Sequence, residues 1–353
     1  MESFSSLDKL YMRRCLQLAR NGRGSTSPNP MVGAVIVYDG RIIGEGYHIR
    51  AGEPHAEVNA VNSVAPADKH LLSHSTIYVS LEPCSHYGKT PPCCDLIISC
   101  KIPRVVIATT DFNSLVNGGG IERMRVAGIE VLVGLMENEA RVLNKNFFTF
   151  HSQSRPYVVL KWAQTADGFI DFKRDCGSAL AISTKASAVA VHKLRSECDA
   201  ILVGTNTARL DNPSLTIRSW AGRQPLRLVL DRHSSLSSSL NLFDGTCPTI
   251  VYTENHINGK FGKNVEQFVL DFSGNVLWQI LTHLTQLKLD SLLVEGGASL
   301  LQSFIDAGLW DEARVECNPN LTIGDGVRAP QLKGWSQCEE SLCFGNKVSL
   351  FVR

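Results

Sequence analysis

His55-Ala56-Glu57 stands upstream of Pro83-Cys84 and Cys93, and any fold that unites these side chains must bring three separate stretches of chain to one point. Zinc takes imidazole nitrogen and thiolate sulfur in a tetrahedron. Three protein ligands leave a fourth position for water, whose pKa zinc lowers to about 7. His55, Cys84 and Cys93 supply three such ligands. Glu57 follows His55 closely and is a carboxylate that the metal does not need, which suits a proton shuttle. An isolated His-x-Glu would ordinarily be a surface histidine beside unrelated core cysteines. A Pro-Cys at the end of a strand makes the metal reading the stronger one. Cys94, adjacent to Cys93, is expected to point elsewhere as a core thiol.

The surrounding pattern is that of an α/β chain. Leu7, Leu10, Tyr11 and Leu18 are expected on one helical face, with Ser5 or Ser6 as N-cap. Val32–Val37 reads as a buried strand, Asp39-Gly40 as a hairpin turn, and Arg41–Tyr47 as the returning partner. Pro54 is expected to open a helix carrying His55 and Glu57. Strands follow at Thr76–Leu81, Arg104–Thr109 and Ile129–Val133, with helices at Leu96–Cys100 and Ile121–Ala127. The polar stretch His151-Ser152-Gln153-Ser154-Arg155-Pro156 separates this half from the next, giving domains 1–150 and 151–353. The second half reads as strands at Tyr157–Trp162, Asp199–Gly204, Leu226–Leu230, Thr249–Tyr252, Leu292–Glu295, Arg314–Cys317 and Lys347–Val352. Helices are expected at Lys185–Glu197 and after Gly296-Gly297. Such alternation implies largely parallel sheets with helices on their faces.

Composition narrows the partners. The 353 residues suit two domains. With 35 Lys+Arg against 34 Asp+Glu, the chain lacks the basic footprint of a protein that grips nucleic acid. A small phosphorylated ligand needs only a few local cations and stays open. No apolar run approaches the roughly 18–20 residues that span a bilayer, and no secretory segment opens the chain. The 11 cysteines are odd in number and scattered, which argues for free thiols and metal ligands in a reducing, cytoplasmic setting.

His-x-Glu with Pro-Cys-x-x-Cys is the signature of zinc-dependent base deaminases. Here its second half is stretched to Pro83-Cys84-Ser85-His86-Tyr87-Gly88-Lys89-Thr90-Pro91-Pro92-Cys93. That stretch, with Ser27-Pro28-Asn29-Pro30-Met31-Val32-Gly33, Gly46-Tyr47-His48 and Ala51–Glu57, resembles the deaminase domain of the bifunctional riboflavin-biosynthesis deaminase/reductases, the RibD family. The resemblance implies a cytidine-deaminase-like domain that hydrolytically removes an amino group from a phosphoribosylated diaminopyrimidinone. It implies Glu57 as the catalytic proton shuttle, and Asn29, His48, His86, Lys89 and Thr90 as substrate contacts. The chemistry is compatible: Lys89 can neutralise phosphate, and Asn29 offers donor and acceptor to a heterocycle. Asn29 between two prolines is equally a good turn residue.

The second half carries no G-x-G-x-x-G after its first strand, so a Rossmann domain is disfavoured. Glu295-Gly296-Gly297 ends a strand and begins a helix, where backbone N–H groups can receive phosphate; such glycines also serve as plain turns. Leu160-Lys161, Ala166-Asp167-Gly168, Gly204–Thr207, Asp211–Arg218 and Val294–Gly297 resemble the reductase domain of the same family, which is similar in fold to dihydrofolate reductase. The resemblance implies NADPH-dependent reduction of the ribosyl group to a ribityl chain. Lys161, Thr207, Asp211, Gly296 and Gly297 would lie at NADPH, and Arg195, Leu215, Arg218 and Glu295 at the substrate. Arg232 suits the 2′-phosphate of NADPH, or is a solvated loop charge.

Two places depart from the family pattern. Ala179-Leu180-Ala181-Ile182-Ser183 stands where many members have Ser-x-Trp-Ile-Thr, and Asp111-Phe112-Asn113-Ser114 where they have Asp-Pro-Asn-Pro. The first motivates a competing reading, a deaminase with a degenerate reductase domain. A nucleic-acid-editing deaminase is disfavoured by the charge balance and the second domain; a purely structural zinc protein remains as a further class, separated by whether Glu57→Gln keeps its zinc while losing catalysis. A zinc ion, NADPH, a small phosphorylated pyrimidine and a homo-oligomer are the expected associations, with neither nucleic acid nor membrane.

Overall fold

The computed structural model describes residues 4–85, 87, 91–111 and 118–353. The chain divides into two compact units, Met1–Ser154 and Arg155–Arg353.

The first unit opens with α1 (Ser6–Ala19). Ser5 caps it reciprocally: its hydroxyl accepts from the Asp8 N–H at 3.0 Å, and the Asp8 carboxylate accepts from the Ser5 N–H at 2.8 Å. Leu7 and Leu10 are 58% and 55% exposed, so the expected apolar face is corrected. The helix buries Tyr11, Met12, Cys15, Leu16, Leu18 and Ala19 instead, a stripe rotated toward the sheet by the buried Asp8. That carboxylate accepts from Tyr78 Oη at 2.7 Å and Arg104 at 3.1 Å, tying the helix to two strands. Burial works against its ionisation, but Tyr78, Ser5 and Arg104 hold it down at about 2.

Strands β1 (Gly33–Tyr38) and β2 (Arg41–Tyr47) are joined at Asp39 and Gly40, both with positive φ (46° and 75°), as a tight hairpin turn requires. Helix α2 (Ala56–Ser63), β3 (Thr76–Val79), α3 (Cys93–Ser99), β4 (Arg104–Ile107), α4 (Gly119–Val126), β5 (Glu130–Val133), α5 (Glu137–Leu143) and α6 (Lys145–Gln153) follow. His151, Ser152 and Gln153 thus form the last turn of α6 rather than a polar break. The sheet order is β2-β1-β3-β4-β5. Only β3–β4 and β4–β5 are parallel; β1 runs antiparallel to both its neighbours. The expected largely parallel sheet is therefore half antiparallel here, because the hairpin reverses the chain before any helix intervenes. Alternation along β1 splits the core. Ala34 and Ile36 meet Ala60, Ile97 and Met124 from α2, α3 and α4. Val35 and Val37 meet Met12, Cys15 and Ala140 from α1 and α5.

Gly33 is fixed by that packing. A Cβ there would lie 2.0 Å from the Cys15 carbonyl oxygen and 2.9 Å from the Ala19 nitrogen. Gly33→Ala is expected to destabilise the first unit by about 1–3 kcal/mol, measured as a lower midpoint in denaturant.

In the second unit the strands are β6 (Tyr157–Thr165), β7 (Phe169–Asp171), β8 (Ala200–Gly204), β9 (Leu226–Leu230), β10 (Thr249–Thr253), β11 (Val265–Val269), β12 (Ser291–Val294), β13 (Glu312–Asn318), β14 (Val327–Arg328), β15 (Gln337–Cys343) and β16 (Asn346–Val352). Helices are α7 (Lys185–Glu197), α8 (Thr205–Asp211), α9 (Val276–Gln286) and α10 (Ala298–Asp306). Nine strands form one sheet in the order β11-β10-β9-β8-β12-β6-β13-β16-β15. It is parallel from β11 through β13 and antiparallel across β16 and β15. The remaining pair, β14 and β7, makes a small separate ribbon. Leu160, Leu202, Leu228 and Val294 build the core on one face with α9 and α10. Val159, Ile201, Val229 and Leu293 build it on the other. Open sheets of this kind receive ligands beyond the carboxyl ends of their strands.

Candidate active sites

In the first unit, His55 is the N-cap of α2 and Cys93 the first residue of α3. His55 is therefore corrected from a helical position to the extended residue before the helix. Cys84 lies beyond the carboxyl end of β3. His55 Nδ1 stands 3.3 Å from Cys93 Sγ and 3.6 Å from Cys84 Sγ. The ligand atoms of all three residues fall within 4.8 Å of one another. One imidazole and two thiols so gathered fit a zinc ion with an open fourth position. The Cys93 N–H donates to Cys84 Sγ at 3.3 Å; with the Cys93 thiol and His55 it holds the Cys84 thiol well below the ordinary cysteine range. Cys94 is buried in the core among Ala56, Ile97 and Met124.

Glu57, in the first turn of α2, is 3% exposed. Burial pushes its carboxyl up to about 7, with His55 opposing the rise. A bound dication would draw it back down. His48, whose ring meets that of His55 edge-on at 5.3 Å, is buried, and its Nδ1 donates to the Pro54 carbonyl at 3.1 Å. Burial lowers its pKa and favours the neutral ring. Neutral and protonated at Nδ1, the ring accepts at Nε2 from the Asn29 amide, 3.1 Å away. The Asn29 NH2 thereby donates to His48, which assigns Oδ1 as the amide's acceptor. His86, Lys89 and Thr90 lie outside the described residues, as do Phe112 to Ser114.

A residue that sequence reasoning missed braces the ligand segment. The buried Glu82 carboxylate accepts from the N–H groups of Asp111, Gly118 and Gly120 at 3.3, 3.1 and 3.1 Å. Its place immediately before Pro83-Cys84 was the available signal.

The second unit holds a cavity of about 1020 Å³. Lys161, Thr207, Asp211, Arg232, Glu295, Gly296 and Gly297 line it, with Ala179, Ala181 and Ser183 in one wall. The strands β6, β8, β9 and β12 bring residues to it, and α10 opens from Gly297, its N-cap. Gly296 has φ +129°, a backbone state that side chains rarely adopt. A Cβ on Gly297 would stand 3.1 Å from Thr207 Oγ1. These glycines let a ligand approach the backbone closely.

Glu295 and Arg195 form a bidentate ion pair at 2.6 and 2.9 Å, and Arg195 also donates to the Thr216 carbonyl at 3.2 Å. Lys161 is half-buried near Glu295. Burial pushes its ammonium pKa down, while Glu295 and Glu316 push it back up. Asp211 is ion-paired with Arg174, which also donates to Asp171 at 2.6 Å and to the carbonyls of Gly177 and Leu210. Arg232 pairs with Glu254 at 2.9 Å and sits over the Phe272 ring at 5.2 Å. Leu215 is packed in the core with Val159 and Ile201, at φ +52°. Arg218 is exposed, and its N–H donates to His192 Nδ1 at 3.1 Å. Neither Arg195, Leu215 nor Arg218 forms part of the cavity wall, although Arg195 reaches it through Glu295. Arg174 and Glu316 were missed from sequence, since one reads as a loop charge and the other as an ordinary strand residue.

The fold and its sites define a two-unit α/β enzyme, with a zinc aminohydrolase centre in one half and a nucleotide-sized cavity in the other. Residues 156–350 match the family model of the RibD C-terminal domain, and residues 5–109 that of the cytidine and deoxycytidylate deaminase zinc-binding region. The chain is 45% identical to the riboflavin biosynthesis protein RibD of Aquifex aeolicus, across 95% of this chain and 93% of that one. The RibD protein of Escherichia coli is 36% identical, across 90% and 89%. The crystal structure of a diaminohydroxyphosphoribosylaminopyrimidine deaminase/5-amino-6-(5-phosphoribosylamino)uracil reductase from Thermotoga maritima superposes with a TM-score of 0.89 at 36% identity, covering 98% of each chain. The chain belongs to the RibD family. RibD proteins are bifunctional enzymes of riboflavin biosynthesis, a zinc-binding deaminase joined to an NADPH-dependent reductase, and this chain carries both halves. Among the described residues, no helix is long and apolar enough to cross a membrane.

Proposed function

We propose that residues 1–150 deaminate 2,5-diamino-6-(5-phosphoribosylamino)pyrimidin-4-one and that residues 151–353 then reduce the ribosyl group of the product to ribityl. The convergence of His55, Cys84 and Cys93 beside a buried Glu57 carries the first half of this reading. When bound, zinc supplies a Lewis acid and a water acidic enough to lose a proton near neutral pH. Glu57 would accept a proton from the attacking water and deliver it to the ring nitrogen, then carry the second proton, from the new hydroxyl, to the leaving amine, so that ammonia departs as the carbonyl forms. Asn29 Oδ1 accepts from an amino group of the pyrimidine while the amide NH2 donates to His48. His86, Lys89 and Thr90 complete the substrate site, with Lys89 toward the phosphate. Asn29→Ala is expected to raise the KM for deamination about tenfold, the worth of one good hydrogen bond, in steady-state ammonia release.

In the second unit the residues named below would hold NADPH, which when bound would supply the hydride for reduction at C1′ of the ring-opened sugar imine. Lys161, donating at Nζ, protonates the imine nitrogen as the hydride arrives. Gly296, Gly297 and Thr207 receive the cofactor at the N-terminus of α10. Asp211 and Arg232 lie toward its sugar and 2′-phosphate. Glu295 faces the substrate, oriented by Arg195, and Leu215 and Arg218 belong to the loop that meets the substrate phosphate. The retained Lys161, Glu295 and Gly296-Gly297 cavity favours an active reductase over a degenerate one. A cytoplasmic homo-oligomer acting on small molecules fits this chemistry.

The test is a single tube holding zinc-loaded enzyme, the diaminopyrimidinone ribosyl phosphate and NADPH. Ammonia release together with NADPH oxidation is the expected result. Ammonia without NADPH oxidation would overturn the reductase half, and neither signal would overturn the substrate.

A further inference from the structure

The carboxylate of Glu316 is 3% exposed, and no step above uses it. It lies on β13, where the parallel register sets Arg314 beside Lys161 and Glu316 beside Ala163. Residues two apart on a strand share a face, so Glu316 projects on the face that carries Lys161 and Ala163 to the cavity. Its two oxygens are engaged separately. Ser183 Oγ donates to Oε2 at 2.8 Å, and Asn346 Nδ2 donates to Oε1 at 2.7 Å. Asn346 Nδ2 also reaches the Ile182 carbonyl at 3.2 Å, which Asn318 Nδ2 meets at 3.2 Å as well. The segment Ala179–Ser183, which lines the cavity, is thus fastened to the sheet at Ser183 through this acid, beside the bonds that Asn346 and Asn318 make to the Ile182 carbonyl and that Asp171 accepts from the Leu180 N–H. In that wall Ala179 and Ala181 offer little contact of their own to hold it.

We propose that Glu316 is a positioning residue of the reductase, which tethers the Ala179–Ser183 wall against NADPH and sets a second carboxylate on the sheet face that carries Lys161. The inference rests on the reductase reading above. The charged groups that face Lys161 are Glu295 beyond β12, Arg195 on α7, and Arg314 and Glu316 on β13. Glu295 is already committed to Arg195. Without Glu316, Lys161 would face two guanidinium groups with only that shared carboxylate to balance them, and burial would favour the neutral amine. Glu316 acts through Lys161 and through the wall.

The experiment measures NADPH oxidation by the full-length, zinc-loaded chain, supplied directly with the deaminated uracil substrate, from about pH 6 to about pH 10. Glu316→Gln keeps the shape and removes the charge. Its amide oxygen can still accept from Asn346, and Ser183 can rotate to accept from its NH2. The alkaline limb of kcat is expected to move down by roughly one pH unit, a change that loss of packing alone would not produce. Glu316→Asp, which restores the charge, should bring the limb back toward the wild-type position. Ser183→Ala cuts the tether and leaves the charge, so KM for NADPH should rise about threefold to tenfold with the limb unmoved. If Glu316→Gln is too unstable to assay, Asn346→Ala takes its place and should raise the same KM. A wild-type limb in Glu316→Gln, or a wild-type KM in Ser183→Ala and Asn346→Ala, overturns the proposal. A wild-type chain that oxidises no NADPH overturns the reductase reading itself, and this inference with it.

Discussion

Glu57→Gln is expected to abolish ammonia release while leaving the zinc in place. General acid–base catalysis by one group is worth about 10²–10⁴ in rate. Glu57 is asked to move protons both into and out of the reacting amidine, so a loss of roughly 10³ or more in kcat is the expected scale. The metal should stay because His55, Cys84 and Cys93 converge within 4.8 Å without help from the carboxylate. Gln is close in size to Glu and fits the same buried site in the first turn of α2. Metal analysis should therefore return about one zinc per chain, whereas Cys84→Ser should lose zinc and ammonia release together. NADPH oxidation with the uracil substrate serves as a control, since the cavity that carries it lies wholly in the second unit. Loss of zinc from Glu57→Gln would make Glu57 a ligand. Persistent ammonia release would require another base.

The two halves were unequally legible from sequence. Metal ligation needs particular atom types at particular places, so the candidate ligands His55, Cys84 and Cys93 stand out in one dimension, with Glu57 beside His55 as the carboxylate left over. The hairpin at Asp39-Gly40 was equally readable, because its turn needs residues that tolerate positive φ. The face of α1 was not. Leu7 and Leu10 carry the apolar signal, but Asp8 is drawn inward by Tyr78 and Arg104, and hydropathy gives no sign of a buried acid held by partners far along the chain. Glu316 shows the same limit. Its partners Ser183 and Asn346 come from distant segments, and only the assembled sheet makes it a hub. Arg195 was expected at the substrate, and the structure gives it a carboxylate partner, Glu295. Nothing in either segment's own pattern tells which anion a buried arginine meets. The order of strands in the first sheet was hidden for a related reason. Alternating strands and helices suggest parallel pairing, and the single hairpin that breaks the rule changes the direction of β1 against both neighbours.

Glu295→Ala is expected to stop the reductase and to weaken the second unit, with deamination continuing. Glu295 and Arg195 are both largely buried and joined by two hydrogen bonds of 2.6 and 2.9 Å. Removing one member of such a pair leaves an uncompensated charge, at a cost of about 3–5 kcal/mol. Arg195 would keep only the Thr216 carbonyl. In a unit of this size that loss corresponds to roughly 10 °C or more in melting temperature, readable as a shift in the transition assigned to the second unit. NADPH oxidation should fall by at least about a hundredfold, because the variant loses the carboxylate proposed to face the substrate and the balance around Lys161 together. Acid separates this ion pair from packing. Burial works to raise the Glu295 carboxyl, but Arg195 and then Lys161 hold it below its ordinary 4.5. The unfolded chain therefore takes up the proton first as pH falls. The pair contributes in full above about pH 4.5, and its contribution fades as pH drops through the lower folded value. Wild-type stability should show that decline, and Glu295→Gln, which cannot ionise there, should lack this part of the slope. An identical acid slope in the two proteins would mean that the ion pair contributes nothing to holding the second unit together.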